Sequence, residues 1–202
     1  MAKSKTEQMI VKPSAESLLA AASVATDGAG VRGLPPVERW NPPFCGDIDM
    51  RIARDGSWFY LGTPIGRPAL VKLFSGILTR EGGDYFLVTP VEKVGIRVDD
   101  APFLAVDFDA EGDGPAQVLT FVTQVGDRAV AGLDHALRVN LGPDGEPSPY
   151  IHIRRNLEAL IDRKSFYRLI ERGVHVVRDG ESWFGLWSSG VFFPMIPSAD
   201  LQ

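Results

Sequence analysis

The stretch Arg51–Lys93, RIARDGSWFYLGTPIGRPALVKLFSGILTREGGDYFLVTPVEK, decides how this chain is read. Ile48, Met50 and Ile52 alternate with Asp47, Asp49 and Arg51 at its start, the period of two that marks a half-buried strand. Asp55-Gly56 supplies a turn, because glycine tolerates positive φ and aspartate bonds nearby amides. Trp58 to Leu61 then returns as a second strand. Arg67 to Phe74 follows as a helix, with Pro68 in its first turn and Leu70, Leu73 and Phe74 on one face. Two further strands, separated by Glu81-Gly-Gly-Asp84, complete the plan.

A second copy of the plan lies downstream. Leu137–Leu141 plays the first strand, Asp144-Gly145 the turn and Tyr150–Ile153 the second strand. Arg163–Ile170 aligns with Arg67–Phe74 without a gap, with Phe166, Leu169 and Ile170 as its apolar stripe and Gly173 as its stop. The strands after this helix meet at Asp179-Gly180. Internal repetition of this kind sets architecture. The expectation is an α+β protein of two related units of antiparallel strands with one helix each. Residues 1–40 form an N-terminal extension with a short helix and linker, residues 41–98 an N-terminal unit and residues 99–202 a C-terminal unit.

Composition narrows the class. A chain of 202 residues with 45% apolar content can build a real core. One cysteine, Cys45, forbids an internal disulfide, fits a reducing cytoplasm and is read as a buried small residue. No apolar run is long enough for a membrane span. Ser14–Val24 reads as a helix capped by Ser14. Lys3, Lys5 and Lys12 ahead of it suggest a signal peptide, but Glu7, Glu16 and the short apolar core argue against one. Asp27–Gly30 and Gly33–Pro36 read as linker, and Trp40 and Phe44 as anchors onto the body.

Residues 99–148 read as a meander of strands at Phe103–Phe108, Gln117–Thr123 and Leu137–Leu141. This segment carries ten acidic and two basic side chains, whereas residues 151–178 carry seven basic and three acidic ones. Either the basic segment is a surface for an anion or it is balanced by the acidic meander. The net charge of −5 argues against broad nucleic-acid binding. Beyond Trp187 a strand runs through Phe193, with Pro194 and Pro197 limiting further pairing.

Candidate chemistry is sparse. Gly62–Arg67 leads into a helix start, where free N–H groups meet anions, but it lacks the Gly-Lys-Ser/Thr of a phosphate loop. The alternative is a plain strand-to-helix connector capped by Thr63. Thr89, Glu92 and Lys93 follow a buried-looking strand. Asp47 and Asp49 share a strand face and are candidate metal ligands for a hydrolase, or partners of Arg51. Asp107–Asp113 resembles the start of a calcium loop but has Val118 where the bidentate Glu belongs. His135, His152 and His175 lack zinc spacing. No cofactor motif is present.

Cys-Gly-Asp-Ile-Asp-Met50, Asp-Gly-Ser-Trp58, Gly-Thr-Pro-Ile65 with Arg67, Leu-Val-Thr-Pro-Val-Glu-Lys93 and Asp-Asp-Ala-Pro-Phe103 together resemble the bacterial domain of unknown function 1285 family over residues 40–195. The resemblance implies a duplicated α+β core whose C-terminal half is a pleckstrin-homology-like partial barrel. It also implies a pocket between the halves for a nucleotide-like ligand in signal transduction, and it transfers no catalytic residue. A non-catalytic sensor is therefore expected, binding its anionic ligand through Thr63, Arg67, Glu92, Lys93, Arg154 and Asn156. In that site Arg67 and Arg154 hold phosphate, Lys93 adds charge, Thr63 and Asn156 orient the ligand, and Glu92 holds Lys93 or a ribose hydroxyl. Two rivals stand beside it. One is a protein-interaction module using strand edges and Trp183, Phe184, Trp187, Phe192 and Phe193. The other is the Asp47/Asp49 hydrolase.

Overall fold

A computed structural model describes residues 14–27 and 33–201. Lys3, Lys5, Glu7 and Lys12, and the centre of the first expected linker at 28–30, lie outside the described residues. Three α-helices and fifteen strands form among those described. Helix α1 spans Ala15–Asp27. The first α+β segment contains β1 (Phe44–Ile52), β2 (Trp58–Tyr60), β3 (Thr63–Pro64), α2 (Pro68–Gly76), β4 (Leu78–Glu81), β5 (Asp84–Val88) and β6 (Lys93–Val98). The expected meander forms only in part: β7 (Phe103–Glu111) and β8 (Val118–Thr123) pair as neighbours, β9 (Arg128–Val130) follows β8, and the third expected strand, Leu137–Leu141, lies at the opposite edge of that sheet. The last segment contains β10 (Leu137–Leu141), β11 (Pro147–Arg154), β12 (Leu157–Ile161), α3 (Arg163–Ile170), β13 (Val174–Arg178), β14 (Glu181–Ser188) and β15 (Val191–Pro197).

The string of three strands, a helix and three strands therefore occurs twice. Each trio before its helix is an antiparallel meander, as is each trio after it. The copies differ in how the trios join. In the first, β1 and β6 are hydrogen-bonded, giving one six-stranded sheet in the order β3-β2-β1-β6-β5-β4. In the second, β12 pairs instead with β7 in parallel register, giving the order β10-β11-β12-β7-β8-β9, and β13-β14-β15 is left as a separate three-stranded sheet.

Packing divides the chain into two compact units that do not follow chain order. One contains Met1–Asp49 and Lys72–Ile96, the other Met50–Val71 and Arg97–Gln202. In the first, Leu18 of α1 is fully buried with Phe74, Ile77, Leu78, Leu87 and Val94, so the N-terminal extension contributes core rather than lying at the periphery. Ser14 caps α1 as expected, its Oγ accepting the Ser17 N–H at 3.2 Å. Phe44 packs edge-on against Phe86 with ring centroids 6.0 Å apart, while Trp40 is half-buried. The second unit buries Ile52, Trp58, Phe103, Phe121, Ile151 and Leu157.

Several local expectations change. Cys45 is exposed, because β1 begins at a half-open end. Strands β3, β6, β9 and β12 are not expected from local patterning. Strand β15 continues through Pro194 to Pro197, because a register shift between Phe184 and Gly185 places Pro194 opposite a glycine. No helix among the described residues is long and apolar enough to cross a membrane.

That same shift brings backbone onto Gly185. A Cβ there would lie 2.3 Å from the Phe193 carbonyl oxygen and 2.7 Å from Phe192 Cζ. Gly185→Ala is expected to cost about 1–3 kcal/mol through forced displacement of β15, read as a lower urea midpoint with unchanged m-value.

Candidate functional site

The six residues expected to bind ligand are placed differently from one another. Thr63 is exposed in β3 opposite Tyr60, so it does not cap α2. Arg67 is exposed immediately before α2, and its carbonyl accepts the amides of Leu70 and Val71. Glu92 closes a turn in which its N–H donates to Thr89 Oγ1 at 3.1 Å. Lys93 Nζ pairs with Glu81 Oε2 and lies 4.4 Å from the centre of the Phe86 ring. Glu92 and Lys93 belong to one compact unit and the other four to the second.

Arg154 is an interior cation. Its guanidinium donates to the Asp127 carboxylate and lies 4.6 Å from the Phe103 ring centre, with the side chain only 11% exposed. Burial, and secondarily the charge of Arg155, pull its pKa down to about 10, which leaves it charged at neutral pH. Asn156 is exposed in the β11–β12 turn.

The second unit contains a groove of about 670 Å³ that includes none of these six residues. Its floor is Leu104, Leu160, Ile161, Phe166 and Ile170, and its rim carries Arg54, Asp55, Ser148, Asp162, Arg163 and Tyr167. The β1–β2 turn forms one wall. Asp55 Oδ1 accepts the Ser57 N–H at 2.9 Å, which holds this carboxyl below its usual range. Gly56, at φ +81°, sits so close that a Cβ would meet Gln124 Nε2 at 2.9 Å and Leu104 Cβ at 3.2 Å. Gln124 Oε1 in turn accepts the Leu104 N–H at 2.7 Å. The opposite wall is α3, whose N-cap Asp162 accepts the Ser165 N–H at 2.7 Å.

A chain of polar contacts fixes the rim. Arg54 donates to Ser148 Oγ at 2.9 Å and lies 3.3 Å from Asp100 Oδ2. Asp100 Oδ1 accepts the Tyr150 hydroxyl at 2.7 Å. The Tyr150 ring lies under Arg138 at 4.1 Å, and Arg138 forms a bidentate pair with Glu158 at 2.7 and 2.6 Å. Burial, then the Asp100 hydrogen bond, raise the Tyr150 pKa. Arg163 lies on the outer rim, donating to the Tyr167 hydroxyl at 3.0 and 3.1 Å.

The lopsided charge is partly balanced within the chain. Arg168 donates to Asp107 Oδ1 at 2.5 Å and Arg154 to Asp127, pairing basic-segment cations with meander acids. Arg51 pairs with Asp99 rather than with Asp47 or Asp49. Asp47 lies against Gly95, where a Cβ would meet its Oδ1. Among the described residues no three His, Cys, Asp or Glu side chains cluster as metal ligands. Of the C-terminal aromatics, Phe192 and Phe193 are buried and Trp183, Phe184 and Trp187 half-buried.

The model of the DUF1285 N-terminal domain, a domain of unknown function, matches residues 35–101, and that of the DUF1285 C-terminal domain, of a protein of unknown function, matches residues 102–195. The chain belongs to the DUF1285 family. A crystal structure of a DUF1285 family protein from Silicibacter pomeroyi DSS-3 is 61% identical and covers 91% of this chain and 96% of its own, with a TM-score of 0.81. Another, from Shewanella baltica OS155, is 34% identical and covers 61% of this chain and 91% of its own, with a TM-score of 0.47. No curated protein matches the chain.

Two of the family-like motifs in this DUF1285 chain shape the rim. Asp55 of Asp-Gly-Ser-Trp58 holds the turn, and Asp100 of Asp-Asp-Ala-Pro-Phe103 anchors Arg54 and Tyr150. Arg54, Ser148 and Arg163 had no motif of their own; their signal was proximity to those aspartates and to a helix start.

Tyr150→Phe is expected to lower stability by about 1 kcal/mol at neutral pH by leaving a half-buried Asp100 oxygen short of a donor. The folded pKa of Tyr150 is raised above its ordinary 10.0, so its stabilisation is present below pH 10 and is lost as pH climbs through the raised value. Chemical denaturation from pH 8 to 11 is expected to show a shallower alkaline loss for the Phe variant than for the parent chain.

Proposed function

We propose that this protein is a non-catalytic binding module that takes a nucleotide-like anionic ligand in the groove beside α3. The observation that supports this reading most is the combination of an apolar floor with a rim bearing Arg54, Ser148, Arg163 and Tyr167. A volume of about 670 Å³ falls in the range of small-molecule sites. In this reading the Arg163 and Arg54 guanidinium groups hold phosphate, and Ser148 contributes a hydroxyl. A base packs on Tyr167 and the Phe166 side of the floor. Of the acids lining the groove, Asp162 is engaged as the helix cap and Asp55 in its own turn, while Glu146 lies near Arg163 and competes with an anion for it.

Of the six residues expected from sequence, Arg67 is an exposed cation that lies outside this groove. We read the C-terminal half as a pleckstrin-homology-like partial barrel, supported by its six-stranded sheet with α3 alongside. Signal transduction in the cytoplasm is part of the same proposal, supported by the single cysteine, Cys45, being a free thiol.

The test is thermal shift and amide chemical-shift titration with mononucleotides, dinucleotides and cyclic dinucleotides to about 1 mM. Binding is expected to weaken about tenfold in Arg163→Ala, as for loss of a charge-assisted phosphate contact, and to be unchanged in Arg67→Ala. Loss in Arg67→Ala alone moves the site to the sequence-expected residues; no response to any ligand removes the reading.

A further inference from the structure

The C-terminal end of α3 borders a second groove, of about 740 Å³, that shares no lining residue with the one carrying Arg54 and Arg163. Asp109, Asp113, Gln117, Arg168, Glu171 and Arg172 supply its polar groups, and Phe108 and Val174 its apolar ones. One wall is the connection between β7 and β8, and backbone bonds pin it. The Gln117 N–H donates to the Gly114 carbonyl at 3.0 Å, and the Gln117 carbonyl accepts the Ser189 N–H at 2.8 Å. The Pro115 carbonyl accepts the Gly190 N–H at 3.2 Å.

The charged groups of this groove divide into committed and uncommitted ones. Arg168 lies 4.6 Å from the centre of the Phe108 ring and donates to Asp107 Oδ1 at 2.5 Å and to the Phe108 carbonyl at 3.2 Å. Asp109 is paired with Arg128 at 2.9 Å. Arg172 differs, because its Nη1 donates at 3.3 Å to Gln117 Oε1, a neutral acceptor, and it holds no ion pair among the described residues. Gln117 is only 4% exposed, and its Nε2 donates to the Trp187 carbonyl at 2.7 Å. A buried, fixed amide therefore holds the guanidinium and leaves its charge unneutralised. Asp113 makes no side-chain cap to the short 3-10 turn that follows it. Neither Asp113 nor Glu171 holds an ion pair among the described residues.

We propose that this groove binds a basic α-amino acid, a molecule of the lysine or arginine type with one carboxylate and two cationic groups. The uncommitted charges lining it are one cation, Arg172, and two anions, Asp113 and Glu171. Their complement is one anion and two cations. Arg172 takes the carboxylate through its remaining N–H groups, which suit that planar acceptor. Asp113 and Glu171 take the α-ammonium and the side-chain cation, and the aliphatic stem crosses Val174 and the edge of Phe108.

The same accounting sets other ligand classes aside. A nucleotide or a dicarboxylate brings its charges against two unneutralised acids, and a polyamine leaves Arg172 unmatched. A neutral amino acid satisfies only one of the two carboxylates. The groove is larger than a lysine-sized molecule, so solvent fills the remainder and the affinity is modest. The proposal does not rest on the nucleotide reading, because the two grooves have separate linings.

The test is an amide chemical-shift titration of the full chain with lysine, arginine and ornithine to about 10 mM. The controls are cadaverine, which lacks the carboxylate, and norleucine, which lacks the second cation. Saturable shifts at Gly114, Gln117 and residues 171–174 are expected for the basic amino acids, with each control about tenfold weaker. Arg172→Gln is expected to bring lysine down to the affinity of cadaverine and to leave cadaverine unchanged. Asp113→Asn combined with Glu171→Gln is expected to bring lysine down at least to the level of norleucine. All three side chains are exposed, so the variants are expected to keep the parent melting transition. No saturable shift with any basic amino acid overturns the proposal. So does cadaverine binding as tightly as lysine, which makes the groove a general cation surface, and so does lysine binding indifferent to Arg172→Gln. Shifts confined to Leu104, Phe166 and Tyr167 place the ligand in the other groove and overturn it as well.

Discussion

The parallel pairing of β12 with β7 is the contact on which the second half depends. Ala159, Leu160 and Ile161 lie beside Phe103, Leu104 and Ala105, and the Asp162 N–H continues the ladder to the Ala105 carbonyl. Parallel strands buried on both faces read as continuous apolar runs, and Leu157, Ala159, Leu160 and Ile161 are all buried. By taking β7 as its neighbour, β12 joins the β7–β9 strands to β10 and β11 in one sheet. It also places Leu160 and Ile161 in the groove floor and delivers Asp162 as the cap of α3.

The same choice leaves β13–β15 without a ladder to the other strands. That small sheet is held instead by buried polar ties and apolar packing. Ser188 is fully buried, with its Oγ donating to the Ala131 carbonyl and accepting the Leu119 N–H. Gln117 Nε2 donates to the Trp187 carbonyl, and Gln117's own carbonyl accepts the Ser189 N–H. Leu186 and Phe193 face Phe166 and Leu169 of α3 across a narrow apolar seam. A polar group this deeply buried is costly unless paired, so these hydroxyl and amide contacts specify how the sheet sits on its own unit as well as adding stability. They also fix one side of the sheet inward and leave β13 as its outer edge.

Much of the fold was legible because it is local. The Asp55-Gly56 and Asp179-Gly180 turns, the helices at Pro68 and Arg163 and the aromatic strands after them depend on residues close in sequence. The candidate site was less legible. Arg154 looked like a free phosphate ligand, yet Asp127 and Phe103 surround it, and no local pattern brings residues 103, 127 and 154 together. Arg54 lacked any motif, yet Asp100, Ser148 and Tyr150 position it on a groove rim. The charge asymmetry was visible as composition, but whether it served a ligand or internal pairing depended on which strands became neighbours.

Sequence alone therefore determined the element types, the repeated strand–helix–strand string and membership of a family of unknown function, because turn chemistry, periodicity and family motifs are written in neighbouring residues. Tertiary structure alone decided that the two copies close differently, that residues 50–71 pack with the C-terminal unit and that the groove is lined by Arg54 and Arg163. The reason is physical: strand partners far apart in the chain are selected by shared burial and hydrogen-bond completion, quantities that exist only once the chain has folded.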